Sequence, residues 1–146
     1  KYGRLYNFYA VTDTRNLCPT GWHIPSDAEW TVLSGYLTSN GYGYMGSGTD
    51  IAKSLAAASG WTQFESAGCI GNDQINNNAS GFGALPGGVR NYQGAFYSIG
   101  SVGLWYSSTP VNETDDWLRI LNFNFTEFGK LQNKKNVGAS VRCLKD

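Results

Sequence analysis

The chain is poor in the residues that most often carry chemistry. It has one histidine, His23, one methionine and three cysteines, Cys18, Cys69 and Cys143. One histidine with scattered cysteines does not make a zinc site, and no cysteine spacing has metal-ligand or redox form. Charge is also scarce. Only 15% of residues are Asp, Glu, Lys or Arg, and they cancel to zero net charge. That argues against a binder of nucleic-acid backbones and against a polybasic membrane-surface domain. No apolar run approaches the roughly 20 residues that span a bilayer. No signal peptide is visible, and Lys1 already opens a strand-like stretch, so a mature protein or an excised domain is expected.

What is present is glycine, at 19 residues, and aromatic side chains, at 14% of a 146-residue chain. That length suits one domain, residues 1–146, with a sizeable core. The composition points to tight turns around a few large anchors rather than to a helical bundle. Cys18 and Cys143 enclose nearly the whole chain. A bridge between them would contribute roughly 5 kcal/mol on the chain-entropy account; the alternative is two buried free thiols in a reducing compartment. After Cys18 the sequence carries a helix start. Ser26 and Glu29 form an S-x-x-E capping box, and Pro25 keeps the preceding segment out of the helix. Trp30, Leu33 and Leu37 then share one face, so a helix is expected over 26–38 with its apolar stripe in the core.

Further elements are read from pattern. Residues 3–11 are aromatic-rich and strand-like. Residues 40–48 form a glycine and tyrosine loop. Thr49 or Asp50 caps a second helix that buries Ile51, Leu55 and Ala58 and stops at Gly60. Residues 60–84 form a long polar Gly/Asn loop, a length that often carries function. Short strands are expected around 85–90, 104–108, 117–123 and 138–144, the last with period-2 alternation of Ala139, Val141 and Cys143. Residues 122–128 alternate polar and apolar as a half-buried strand would.

Four motifs stand in order along the chain: CPTGWHIPSDAEW from Cys18, SGFGALPGGVRNYQG from Ser80, GLWYSST from Gly103 and GASVRCLKD from Gly138. With the opening GRLYNFYAV, they resemble the Fibrobacter succinogenes major paralogous domain family (FISUMP). The resemblance spans nearly the whole chain. That family is in turn similar to the formylglycine-generating-enzyme form of the C-type lectin-like fold. The resemblance implies an α+β fold with two helices flanking small antiparallel sheets and with the termini close together, which suits a Cys18–Cys143 bridge leaving Cys69 unpaired. It also implies a secreted or surface-exposed bacterial protein, often a lipoprotein.

No catalytic constellation emerges. The oxidase chemistry of the formylglycine-generating enzymes relies on reactive cysteines in the C-terminal half. Here Cys143 belongs to the terminal strand motif and Cys69 has no neighbouring cysteine, so no enzyme is expected. His23, next to Trp22 and just before the helix cap, is read as a packing or capping residue. Leu85-Pro-Gly-Gly88 lacks the spacing and the Lys-Ser/Thr pair of a phosphate loop. The carboxylates Glu113, Asp115, Asp116 and Glu127 have no separation fixed by sequence, so a glycosidase reading is weak. Asn72, Asp73, Asn76, Asn77 and Asn78 are oxygen donors of the type calcium accepts, but with one carboxylate among them their simpler role is turn chemistry. No cofactor is expected, and the calcium-dependent sugar motifs of classical C-type lectins are absent.

The aromatics of the C-terminal half are the functional lead. Aromatic rings with adjacent amides suit a sugar face or a protein partner. The ligand face is expected between about 91 and 128, away from the capped helix. Its candidates are Tyr92, Tyr97, Tyr106, Asn122 and Asn124, with Arg119 as an anchor for an anionic group. Trp105, inside GLWYSST, is read as structural. The expected function is a non-catalytic binding module for a glycan or protein ligand, in its sharper form a variable protein diversified by a retroelement. The alternative is an assembly subunit of a cell-surface structure with no small ligand. An exposed aromatic cluster favours the first, and long unpaired edge strands favour the second.

Overall fold

The computed structural model describes all residues 1–146. Its element order is α1 (Phe8–Val11), β1 (Trp22–His23), α2 (Asp27–Ser39), α3 (Ala52–Leu55), β2 (Val89–Arg90), β3 (Phe96–Tyr97), β4 (Val102–Pro110), β5 (Asp115–Asn122), β6 (Gly129–Lys134) and β7 (Leu144–Lys145). The architecture is mixed α and β, with few helices and small antiparallel sheets. β4, β5 and β6 form a three-stranded sheet in that order, β2 pairs with β3, and β1 pairs with β7.

The central sheet divides two hydrophobic clusters, because successive side chains on a strand point to opposite faces. Trp105 and Leu121 join Trp30, Leu37, Leu55, Trp61 and Ile70 in one cluster. Leu104, Tyr106 and Leu118 join Phe8, Val11, Cys18, Ile24 and Val137 in the other. Gly103 is required beside Trp105: a Cβ there would lie 2.2 Å from the indole. Motif GLWYSST therefore builds the middle of the core, as the reading of Trp105 had it.

Helix α2 starts as the sequence predicts. The Glu29 amide donates to Ser26 Oγ, and the Ser26 amide donates to Glu29 Oε2 at 2.8 Å. The box docks against β4, where Trp30 Nε1 donates to the Tyr106 carbonyl. Cys18 and Cys143 are bonded, with S–S 2.04 Å and a sequence separation of 125. Trp22 pairs with Lys145 and His23 with Leu144 beside them, so the chain ends lie together. Cys69 is free and buried.

Several expected elements differ. In 3–11 only Tyr6 pairs, with Ala139; Asn7 then caps α1 by accepting from the Ala10 amide at 3.0 Å, and Asn at that position starts a helix whatever the aromatic content around it. The second helix is shorter than expected and has no side-chain cap. It ends at Leu55, well before Gly60, because Ala56 turns extended and bridges Ala84. Asp50 serves the preceding loop instead, its Oδ1 accepting from the Tyr44 amide. The expected 138–144 strand is spread over three partners: Gly138 meets Arg90, Ala139 meets Tyr6 and Ser140 meets Trp105. The 122–128 alternation is no strand. β5 stops at Asn122 and the chain turns back, with the Phe125 amide on the Asn122 carbonyl. Phe123 and Phe128 both reach the core from the two sides of that turn.

The free edge of the central sheet is β6, which carries Lys130 and Lys134. The disulfide closes the longest loop available to this chain. Replacing both Cys18 and Cys143 by Ser is expected to lower unfolding free energy by about 3–5 kcal/mol, read as a fall in denaturant midpoint with a steeper slope, because the uncrosslinked unfolded chain exposes more surface. A midpoint within error of the parent would contradict this.

Candidate functional site

The six candidate residues do not form one surface. Tyr92 and Tyr97 are exposed, at 63% and 48%. Tyr106 is fully buried, its hydroxyl donating to the Val137 carbonyl at 2.6 Å. Burial pushes its phenol well above the ordinary tyrosine range, and the nearby Asp116 carboxylate pushes it further. Arg119 is buried as well. It donates to the Asp27 carbonyl, to Asp27 Oδ1 at 2.7 Å and to Thr31 Oγ1. It is thus a tie between β5 and the first turn of α2, not an anchor for an external anion. Lys130 completes the cluster, 2.7 Å from Asp27 Oδ2 and 3.8 Å from the centre of the Trp117 ring. Asn122 and Asn124 are half-buried, and the Oδ1 atom of each is shielded from solvent. The chain turns back after Asn122 instead of running on as a strand.

Tyr92 and Tyr97 belong to the β2–β3 hairpin, which stands out from the body. Phe96 and Ile99 beside them are exposed at 66% and 60%. Adjacent strand residues point to opposite sides, and Phe96 and Tyr97 are both exposed, while Val89, paired with Tyr97, is buried and ties the base of the hairpin to the core. Its tip is nevertheless ordered. Asn91 Oδ1 accepts from the amides of Gln93 and Ala95, and the Asn91 amide donates to the Ala95 carbonyl. At its base Gly88 has φ +71, and a Cβ there would meet the Tyr97 carbonyl at 2.5 Å. Arg90 lies 5.9 Å from the centre of the Phe96 ring. Phe96 belongs to the aromatics of the C-terminal half, whereas Ile99, a lone Ile after a turn, has no distinguishing sequence pattern.

Two concave sites lie elsewhere. One is an apolar groove of about 300 Å³ beside α2, lined by Trp30, Leu33, Phe82 and Leu144 among others, with Arg142 stacked 4.2 Å from the centre of the Phe82 ring. The helix face expected to be filled is therefore only partly filled, and Val32 and Tyr36 next to it are exposed. The other, about 380 Å³, lies between the 40–46 loop and the 72–79 loop. Both loops were legible as loops; nothing in their order along the chain says that they meet.

His23 sits between two carboxylates. Its Nε2 lies 2.9 Å from Glu29 Oε1 and its Nδ1 2.6 Å from Asp146 Oδ1. The bond to Asp146 raises its pKa most, followed by that to Glu29. With both ring nitrogens engaged, it has no lone pair directed at a nucleophile, and Ser26 Oγ is itself committed to Glu29. Cys69 Sγ donates to the Asn124 carbonyl. No group of three His, Cys, Asp or Glu side chains could hold a metal ion. In the Asn-rich loop, Lys53 is 8% exposed and donates from Nζ to the carbonyls of Asn72 and Asp73. Those are backbone oxygens of the type a calcium ion would use, and an ammonium group already holds them. Asn77 and Asn78 are spent on backbone bonds, Asn77 Nδ2 to Ile70 and Ala57 carbonyls and Asn78 Oδ1 from the Gly83 amide.

Together these features define a class: a small disulfide-closed α+β domain with a capped helix on a three-stranded sheet and an uncovered aromatic hairpin. A family model described as the Fibrobacter succinogenes major domain matches residues 1–145. The chain belongs to that family. No curated protein and no solved structure matches it.

Asp116 is the unusual titratable group. It is fully buried and neither carboxylate oxygen has a hydrogen-bond partner. Burial pushes its pKa up to about 7, Asp115 adds to the rise and Lys135 opposes it. The folded carboxyl therefore keeps its proton to about pH 7, whereas an unfolded one loses it near 4. Through this group stability is highest below about pH 4, falls as pH rises to about 7 and is level above that. Asp116→Asn, which cannot ionise, is expected to remove that slope and to be more stable than the parent at pH 8 by roughly 2–4 kcal/mol. Urea denaturation at pH 5 and pH 8 checks it; an unchanged difference between the two pH values refutes it. Arg119→Ala leaves Asp27 without its buried partner and is expected to cost about 3 kcal/mol of stability, measured the same way. A full-strength fold in that variant would return Arg119 to the list of ligand residues.

Proposed function

We propose that this domain is a non-catalytic binding module, secreted or displayed at the cell surface, that recognises a protein or glycan ligand. The observation that carries the reading is the β2–β3 hairpin. Four large apolar side chains, Tyr92, Phe96, Tyr97 and Ile99, are exposed in or beside one hairpin whose turn is already hydrogen-bonded. Exposed large apolar side chains gathered on one element mark an interaction site more often than neutral surface. A pre-ordered turn also loses little entropy on binding. The disulfide supports an oxidising compartment, as such bonds are rare in reducing ones. The absence of an enzyme is supported by His23 having both nitrogens occupied and by the isolation of Cys69.

The alternative, a structural subunit that assembles edge to edge, has less support. The free β6 edge carries Lys130 and Lys134, and lysines on an edge discourage strand pairing. We further infer one domain of C-type lectin-like fold related to the formylglycine-generating enzymes. Its support is the joined termini, the long helix laid on a small antiparallel sheet and the order of the four motifs. The sharper form, a variable protein diversified by a retroelement, predicts that codons for the hairpin differ among copies of the gene while those of α2 do not.

A glycan array and a pull-down against bacterial surface proteins would supply the ligand. Alanine at Tyr92, Phe96 or Tyr97 should then lower affinity by about 2 kcal/mol at the central position, with the thermal midpoint unchanged because all three are exposed. Retained affinity in all three variants would remove the hairpin as the ligand face.

A further inference from the structure

We propose that the cleft between the 40–46 loop and the 72–79 loop binds a neutral saccharide. It shares no residue with the hairpin, and it holds or fails independently of the role proposed there.

The cleft, about 380 Å³, falls within the size range of small-ligand sites. Its walls are lined with amides. Asn40 Nδ2 donates to the Tyr36 carbonyl at 2.8 Å, Asn72 Nδ2 to the Glu65 carbonyl at 3.0 Å and Asn76 Nδ2 to Asp73 Oδ2 at 2.6 Å. Each partner is an acceptor, so the orientation of each amide is forced by chemistry. Each amide uses one N–H on the protein and has its carbonyl oxygen and its second N–H left over. Asp73 keeps Oδ1 free as well. Spare acceptors and donors side by side call for a ligand rich in hydroxyls, which both donate and accept.

The same inventory excludes other ligands. A phosphate, sulfate or carboxylate would meet the Asp73 charge, and the Lys53 ammonium that could offset it is already bonded to two carbonyls. A metal cation would meet the Lys53 ammonium, which lines the cleft and holds the Asn72 and Asp73 carbonyls. A wholly apolar molecule would strip water from the amides without replacing it. A sugar does none of these. Its hydroxyls donate to the leftover oxygens and accept from the phenols of Tyr42 and Tyr44, while its C–H face lies on the tyrosine rings and on Met45, which is 86% exposed. The backbone that carries Tyr44 is fixed by its amide's bond to Asp50, and the Tyr42 ring packs on Tyr36 with ring centres 6.4 Å apart.

The test is a two-dimensional amide NMR titration of the whole chain. The added compounds are glucose, galactose, mannose, xylose, N-acetylglucosamine, cellobiose and lactose, with sodium sulfate and calcium chloride as separate additions. At least one sugar is expected to shift amides of 40–46 and 72–79. The double variant Tyr42→Phe, Tyr44→Phe keeps both rings and removes two hydroxyls, so its spectrum should stay dispersed while affinity falls about tenfold or more. The proposal is overturned if no sugar moves those amides, if the double variant binds as tightly as the parent, or if sulfate or calcium produces the shifts instead. Shifts confined to residues 89–99 would support the hairpin reading and refute this one.

Discussion

Everything in this molecule is referred to one covalent bond, that between Cys18 and Cys143. It sets the two chain ends side by side, and the β1–β7 pair lies next to it. From there a continuous line of polar contacts runs into the core. Asp146 holds His23, His23 holds Glu29, and Glu29 closes the capping box on Ser26. The helix so started presents Asp27, which holds Arg119 in the middle strand of the sheet. A bond at the periphery thus fixes the angle between helix and sheet. The lone histidine, read from the sequence as a packing or capping residue, is a link in that line.

How much was legible depended on whether the signal was local. The capping box is complete within four residues, so α2 was found to within one residue at each end. The disulfide and the structural role of Trp105 came with motifs that span the chain, and so did the family. Where the outcome rested on a distant partner, the local pattern misled. Residues 122–128 alternate as a strand does, yet Phe123 and Phe128 reach the same core across a turn. The 138–144 alternation is real, but its bridges are shared among three segments, none adjacent in sequence. Tyr106 and Arg119 have the chemistry of ligand residues and are buried by distant partners: Tyr106 of β4 packs among Phe8, Leu118 and Val137, and Arg119 lies on β5, which is central only because β6, of polar sequence Gly-Lys-Leu-Gln-Asn-Lys and weak strand propensity, pairs with it. The cleft was invisible for a related reason: its two walls are some thirty residues apart in sequence and each alone reads as turn chemistry.

The two candidate surfaces differ in kind. The hairpin is convex and apolar, and its order comes from one asparagine that bonds two amides across the turn. The cleft is concave and lined with amides that have both acceptors and donors left over. An exposed apolar prong gains by entering a partner's groove, whereas an amide-lined hollow gains by taking in a small polar molecule. One scaffold carries both because neither needs the core: each is built on loops attached to a frame already secured by the disulfide and the two hydrophobic clusters.

Lys53 has a consequence for the setting in which such a protein works. Loops of this composition are commonly ordered by a dissolved ion, and they then lose their shape when the ion is diluted or chelated. Here the positive charge is part of the chain. It cannot be competed away by other cations or removed by a chelator. The geometry of the loop is therefore inherited with the gene and does not depend on the mineral content of the surroundings.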